Sequence, residues 1–263
     1  MKYAIFIDID GTLLNDNNIV SNRTKNIIHN IIDLGHKVVL CTGRTRIYAE
    51  KISKEIGASS YVISSNGAEI YDYKENKVIY SSLISKSVIV DILHEIKNRN
   101  AKITLAIDNI EYIIGKKYNY YQKYIPKNYN SFINNHNTKQ AMIIAQNKDL
   151  KILRDVISVY DDVEITNKNT ILEEQGSWFS IVKKGTSKGE SIKEFCNYFN
   201  ISNENIISIG NDYNDIPMFN QSKISIAVSN AIEDLKNKAD IITESNNNDG
   251  VAKALEKLYL SIL

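Results

Sequence analysis

Cysteine is nearly absent from this chain: its 263 residues include only Cys41 and Cys196, far apart and outside any pairing motif. That excludes a disulfide framework. Net charge is nearly absent too. With 32 basic and 31 acidic residues the formal value is +1, so no global field draws the chain to nucleic acid or to an anionic membrane. No apolar run approaches the roughly 18 residues of a spanning helix. The apolar start of MKYAIFIDIDG is broken by Asp8 and Asp10 before a signal-peptide core can form, and the expected compartment is the cytoplasm. No G-x-G-x-x-G loop follows the first strand, which argues against a Rossmann-type nucleotide binder. Solenoid-type repeats are also missing. What remains is an ordinary globular composition, 43% hydrophobic and 24% charged over 29.9 kDa, enough for one large core or two modest ones.

The first 73 residues alternate strand and helix patterns. Tyr3–Asp10, Lys37–Cys41 and Tyr61–Ser64 are short apolar, β-branched runs of the kind buried on both faces of a parallel sheet. Between them Arg23–Leu34, capped by Ser21, and Thr45–Ile56 read as helices ending at Gly35 and Gly57. Asn66-Gly67 is a turn signal leading into Glu69–Tyr73 and Lys77–Tyr80. The same rhythm returns after Ser187, with strands over 206–209, 223–228 and 240–243 and helices over 187–199, 232–238 and 251–263. The middle differs. Helices over 88–98 and 149–160 sit among strands at 103–107, 112–114, 141–145, 163–166 and 179–182. The expected architecture is therefore an α/β, three-layer Rossmann-like core with a parallel sheet, residues 1–83 and 181–263, interrupted by an α+β insert, residues 84–180. The Tyr-rich polar segment 116–137 reads as a long mobile loop within that insert, and Trp178 as a packing residue where the insert meets the core.

Four segments carry chemistry, each just past the end of an expected parallel strand, where ligands of open α/β sheets bind. In Asp8-Ile9-Asp10-Gly11-Thr12 the two carboxylates lie two residues apart in extended chain and face one side. Two such acids repel unless a cation or a proton lies between them, and a divalent metal also polarises a phosphoryl group. Thr42 and Gly43, in Cys41-Thr42-Gly43-Arg44, offer a hydroxyl beside an unhindered amide, a small anion cradle, or else a plain strand-to-helix turn in which Arg44 orders the loop. Lys188 stands at a helix start in Gly185-Thr186-Ser187-Lys188-Gly189 and suits an anion, or is a solvated surface lysine. Gly210-Asn211-Asp212-Tyr213-Asn214-Asp215 groups acidic and amide oxygens suited to Mg²⁺, or caps the next helix through Asn214 or Asp215.

Taken together, these segments resemble the haloacid dehalogenase superfamily, in particular its Cof-type phosphatases (subclass IIB), which carry a large α+β cap. DIDGTLL, CTGR, GTSKGES and GNDYNDIPMF look like the family's four motifs, and SNGAEIY, AVSNAIEDLKNKADIIT and DGVAKAL extend the similarity over the core. The resemblance implies that Asp8 is the nucleophile and Asp10 the acid and base. It implies that Thr42, Gly43, Lys188 and Asn214 hold the phosphate. Asp8, Asp10 through its carbonyl, the 211–212 position and Asp215 would bind Mg²⁺. One departure stands out: the family's loop begins Gly-Asp, and here Asn211 takes that place with Asp212 next. Either the amide oxygen of Asn211 ligates, or Asp212 turns inward.

The implied activity is hydrolysis of small phosphorylated metabolites, sugar phosphates among them, by a monomer or weak homodimer without nucleic-acid or membrane partners. A phosphomutase is the alternative among enzymes. A non-catalytic phosphometabolite-binding relative is the alternative outside them, and the retained Asp10 argues against it, because binding alone needs no acid–base carboxylate.

Overall fold

The computed structural model describes residues 2–96, 99, 101–108, 110–114, 123–145, 147–172 and 176–261. The chain divides into two compact units, Met1–Tyr80 with Ser187–Leu263, and Ser81–Thr186. It begins with β1 (Ala4–Ile7), α1 (Asn22–Asp33), β2 (Lys37–Cys41), α2 (Arg46–Glu55), β3 (Tyr61–Ser64), β4 (Glu69–Asp72) and β5 (Lys77–Ser81). The second unit holds α3 (Lys86–Ile96), β6 (Ala101–Ile107), β7 (Ile110–Ile114), β8 (Lys123–Tyr124), α4 (Tyr129–Asn134), β9 (Thr138–Ala145), α5 (Asn147–Ser158), β10 (Val163–Leu172) and β11 (Gly176–Lys183). The return through the first unit adds α6 (Lys188–Phe199), β12 (Ile206–Gly210), α7 (Ile216–Phe219), β13 (Ile224–Val228), α8 (Glu233–Lys236), β14 (Ile241–Thr243) and α9 (Gly250–Ser261).

The first unit is built on one sheet in the order β14-β13-β12-β1-β2-β3-β4-β5. From β14 to β3 the strands are parallel, and β4 folds back antiparallel on β3. β1 and β12 are buried at every residue, as required of central strands covered by helices on both faces. Local chemistry sets the helix ends. Ser21 Oγ accepts from the Thr24 amide at 3.2 Å at the start of α1, and Ser187 Oγ accepts from the Glu190 amide at 3.1 Å at the start of α6. α6 is held to the sheet by Phe195, fully buried, which meets Phe6 of β1 and Tyr61 of β3 edge-on with ring centroids 5.4 Å away in both cases. Cys41 and Cys196 are both buried and unbonded to each other.

The second unit is a six-stranded sheet, β10-β11-β9-β6-β7-β8, antiparallel apart from the β7–β8 pair. Ile103, Leu105 and Ile107 alternate along β6 onto one face and share a core with Ile89 and Ile92 of α3 and Leu153 of α5. This is the α+β character expected of the insert. The long mobile loop expected over 116–137 needs correction across 123–137, which carries β8 and α4. Ile133 is fully buried, and the Phe132 ring packs against Tyr112 at 4.7 Å and stacks on His136 at 4.2 Å. Two adjacent apolar residues anchor a short helix inside an otherwise polar run. Tyr118 and its neighbours through Gln122, and the side chain of Trp178, lie outside the described residues. Among the described residues no helix is long and apolar enough to cross a membrane.

The Phe195 contacts give a direct test of this packing. Phe195→Ala should destabilise the protein by about 3–5 kcal/mol through lost burial and a residual cavity. Chemical denaturation measures it; a loss below about 1 kcal/mol would show that the ring does not anchor α6.

Candidate active site

Parallel pairing fixes where the functional residues emerge. Ile7 is level with Ile209 on one side and Leu40 on the other, and Cys41 is level with Ile63. The residues that follow these strands are Asp8, Thr42, Ser65 and Asn211, so they leave the sheet at one edge. The chain leaves β1 for β2 on one flank while β12 lies on the other. Asp8 therefore stands at the crevice where the winding changes direction.

At its centre a single ammonium bridges two acids. Lys188 Nζ donates to Asp8 Oδ1 at 2.6 Å and to Asp215 Oδ1 at 2.6 Å. Lys188 is 1% exposed, Asp8 6% and Asp215 0%, so the solvated surface lysine that Lys188 alone allowed is not what the fold makes of it. Burial works against the ammonium, but the Asp215 and Asp8 carboxylates outweigh it and hold its pKa above the ordinary lysine value. Each carboxylate receives only a share of one partner. Burial raises the Asp8 pKa from 3.8 to about 7, more than Lys188 lowers it, and the Asp215 charge pushes the same way. The site carries more negative charge than its lysine can neutralise.

The loop after β12 is folded around Asp215. Its Oδ2 accepts the amides of Asn211 at 2.8 Å and Asp212 at 3.0 Å. This tuck needs Gly210, because a Cβ there would stand 2.6 Å from the same oxygen. Asp215, expected from the sequence among the metal ligands, thus has both oxygens committed, one to Lys188 and one to the loop. Asp212 is exposed. Its Oδ1 accepts the Tyr213 amide at 2.7 Å, and it forms a capping box with Asp215; Asp215, one of the two residues expected to cap the next helix, stands at the N-cap of α7 without a side-chain bond there.

Asn211 is the loop residue that reaches the paired acids. Thr12 Oγ1 donates to Asn211 Oδ1 at 3.0 Å. Turning the amide over lets its nitrogen donate to Asp8 Oδ2 at 3.1 Å, Thr12 Oγ1 at 3.0 Å and the Asp10 carbonyl at 3.2 Å; an amide's two ends are told apart only by their partners. Among the described residues no three His, Cys, Asp or Glu side chains group at metal-holding distance. The donor set for a hard cation is instead a carboxylate, a backbone carbonyl and an amide oxygen, from Asp8, Asp10 and Asn211. All are oxygens, beside a surplus of negative charge, and that chemistry fits Mg²⁺.

The Asp10 carboxylate is further out. Arg44 grips it with Nε to Oδ2 at 3.1 Å and Nη2 to Oδ1 at 3.0 Å, both partners well exposed, so the pair adds little stability. Thr42 is buried, and its Oγ1 accepts the Arg44 amide at 3.1 Å. Asn214 Nδ2 donates to Asn66 Oδ1 at 2.9 Å. Asn66 was read from the sequence as part of a turn and not as a site residue, yet it is 3% exposed and bonded into the site. The one local signal was its Asn-Gly pair. Ser65 and Asn66 both adopt left-handed backbone, φ 52° and 56°, a conformation asparagine tolerates but one that costs Ser65 roughly 1–2 kcal/mol, and such strain clusters at working sites.

Residues 5–255 match the model of the haloacid dehalogenase-like hydrolases. Among curated proteins the chain is similar to a 5-amino-6-(5-phospho-D-ribitylamino)uracil phosphatase of Bacillus subtilis, 27% identical over 97% of this chain and 95% of that one. It is also similar to a phosphoglycolate phosphatase of Nitrosopumilus maritimus, 24% identical over 98% and 96%. A crystal structure of a Thermotoga maritima protein superposes with a TM-score of 0.84 at 27% identity, covering 98% and 97% of the two chains. A solved sugar phosphatase of subclass IIB shares the fold at a TM-score of 0.80 and 21% identity, covering 98% and 100%. The chain therefore belongs to the haloacid dehalogenase-like hydrolases, as a phosphatase of the Cof type.

Proposed function

We propose that this phosphatase hydrolyses small phosphate monoesters, sugar phosphates among them, through an aspartyl-phosphate on Asp8 with Mg²⁺ as its cofactor. The observation that carries the reading is the Lys188–Asp8 contact at 2.6 Å at a buried strand end, with a second, more exposed carboxylate two residues along at Asp10. Asp8 attacks phosphorus as the ester P–O bond breaks, and protonated Asp10 delivers its proton to the departing alkoxide. Asp10, now a carboxylate, takes a proton from water as that water attacks the acyl phosphate, releasing phosphate and restoring Asp8. Lys188 neutralises charge on the phosphoryl oxygens, and Thr42, Gly43 and Asn214 hold them. Asp8, the Asp10 carbonyl and Asn211 would hold Mg²⁺, which when bound supplies a Lewis acid for the phosphoryl group. The named substrates of two relatives, a ribityl phosphate and phosphoglycolate, are both small monoesters and support this class. The two buried, free thiols suit the cytoplasm.

Asp8→Asn should fold and lose at least about 10³-fold in turnover, since an amide cannot take the nucleophile's part. Asp10→Asn should lose about 10²–10⁴-fold on alkyl esters and clearly less on p-nitrophenyl phosphate, whose leaving group needs little protonation. Steady-state rates on both ester types decide; equal losses for Asp10→Asn would remove it as the acid.

The surplus charge has a signature apart from turnover. The folded, metal-free protein keeps a proton on Asp8 between its unfolded value of 3.8 and its folded value of about 7. In that window the native state binds more protons than the unfolded chain, so stability contributed by this group falls as pH rises from about 4 to about 7, then levels off. Thermal midpoints in chelator at pH 5.5 and pH 8 should show the fall in wild type and not in Asp8→Asn. Mg²⁺ should recover most of it at pH 8. Identical pH trends in the two proteins would contradict the charge assignment.

Asn211→Asp should lower the half-saturating Mg²⁺ concentration about tenfold, equivalent to about 1–2 kcal/mol of charge attraction net of desolvation. Asp212→Asn should move it less than about twofold, because Asp212 caps its own turn. Calorimetric Mg²⁺ titration of both variants tests this, and the reverse pattern would place the ligand at Asp212.

A further inference from the structure

The turn after β3 touches three of the site's loops. The Ser65 amide donates to the Arg44 carbonyl at 2.8 Å and the Asn66 amide to the Thr42 carbonyl at 3.0 Å, which fastens the turn to the Thr42–Gly43 backbone. Gly67 follows at φ 94°, and a Cβ on it would lie 2.2 Å from the carbonyl of Ser187, the residue that caps the helix bearing Lys188. Only glycine permits that approach. The Asn66 side chain completes the set. Its Oδ1 accepts from Asn214 and lies 3.0 Å from where a Gly43 Cβ would stand. One buried amide thus lies against the loop after β2 and the loop after β12 at once.

We infer that Asn66 is a positioning residue of the phosphate cradle, which sets Asn214 at a fixed separation from the Thr42–Gly43 backbone so that both meet one phosphoryl group. The inference rests on the phosphatase reading. A turn kept only for folding would be served as well by glycine, which takes left-handed backbone freely, so removing the side chain would then leave binding unchanged. A positioning role makes the opposite demand. The backbone can relax, but the amide must stay.

Three variants separate these cases: Asn66→Gly, Asn214→Ala and the double variant. The readouts are the thermal midpoint and the dissociation constant for inorganic phosphate, measured by calorimetry with Mg²⁺ present. Asn66→Gly should stay folded, with a thermal midpoint modestly below wild type from the lost hydrogen bond, while binding phosphate about tenfold more weakly. Asn214→Ala should weaken binding at least as much, and the double variant should be within about twofold of Asn214→Ala, since both changes break one connection. Unchanged phosphate affinity in Asn66→Gly, or losses that multiply in the double variant, would overturn the inference. Should Asn66→Gly fail to fold, Asn66→Ser decides in its place, because the shorter side chain cannot reach Asn214; unchanged phosphate affinity there overturns the inference as well. A wild-type protein that neither binds phosphate nor cleaves phosphate esters would sink the phosphatase reading and this one with it, whereas normal wild-type binding with an unaffected Asn66→Gly sinks only this one.

Discussion

Lys188 is buried on every side, and its ammonium survives there because two carboxylates meet it at 2.6 Å. Removing a charged group from water is expensive, and the pairing repays that cost only where geometry is tight. Packing hydrocarbon at the same place would serve stability as well or better. The arrangement is therefore better understood as a device for function: it holds one positive charge, without water, against the strand end at which Asp8 emerges. The rest of the site follows from this choice. Asp215 must turn back to reach the ammonium, which requires Gly210 and draws in the amides of Asn211 and Asp212. Asp8, left with a shared partner, keeps an appetite for further positive charge.

Parallel sheet topology makes this assembly from residues 180 positions apart in the chain. Central strands buried on both faces present no free edge, and their register brings Ile7, Leu40 and Ile209 level. Any residue one step beyond them is placed in the same crevice with little freedom. α6 is fixed to the same strands by Phe195, so the first residue of that helix, Lys188, is located by aromatic packing near the helix's far end.

Much of this was legible before any coordinates. Short β-branched runs ending in chemistry-bearing residues, Asp8 after one and Thr42 after another, specified both the parallel sheet and its working edge. Ser21, read as a cap, and the helix read from Ser187 placed two helix starts to within a residue. Less was legible where meaning depends on distant partners. Lys188 looked like any lysine at a helix start, because nothing local records that two acids close over it. Asn66 looked like half of a turn, since its bond to Asn214 spans 148 positions. Asp215 and Asp212 were both read as oxygen donors for a metal, and only the fold of their loop gives one to the lysine and the other to its own cap. The helix at Tyr129–Asn134 was hidden for a different reason: its anchor is just Phe132 and Ile133, too few apolar residues to show a period.

Under the proposed mechanism Asn211 would also bear on what happens after the chemistry. Around the crevice, three carboxylates (Asp8, Asp10 and Asp215) face one ammonium and one guanidinium, from Lys188 and Arg44, an excess of one negative charge. A divalent cation converts that to an excess of one positive charge. An aspartate at position 211 would cancel it; the amide leaves it standing. Under the proposed mechanism that residual attraction would act on inorganic phosphate after the ester is cleaved, so the loop after β12 would bear on departure of the product as well as on bond cleavage.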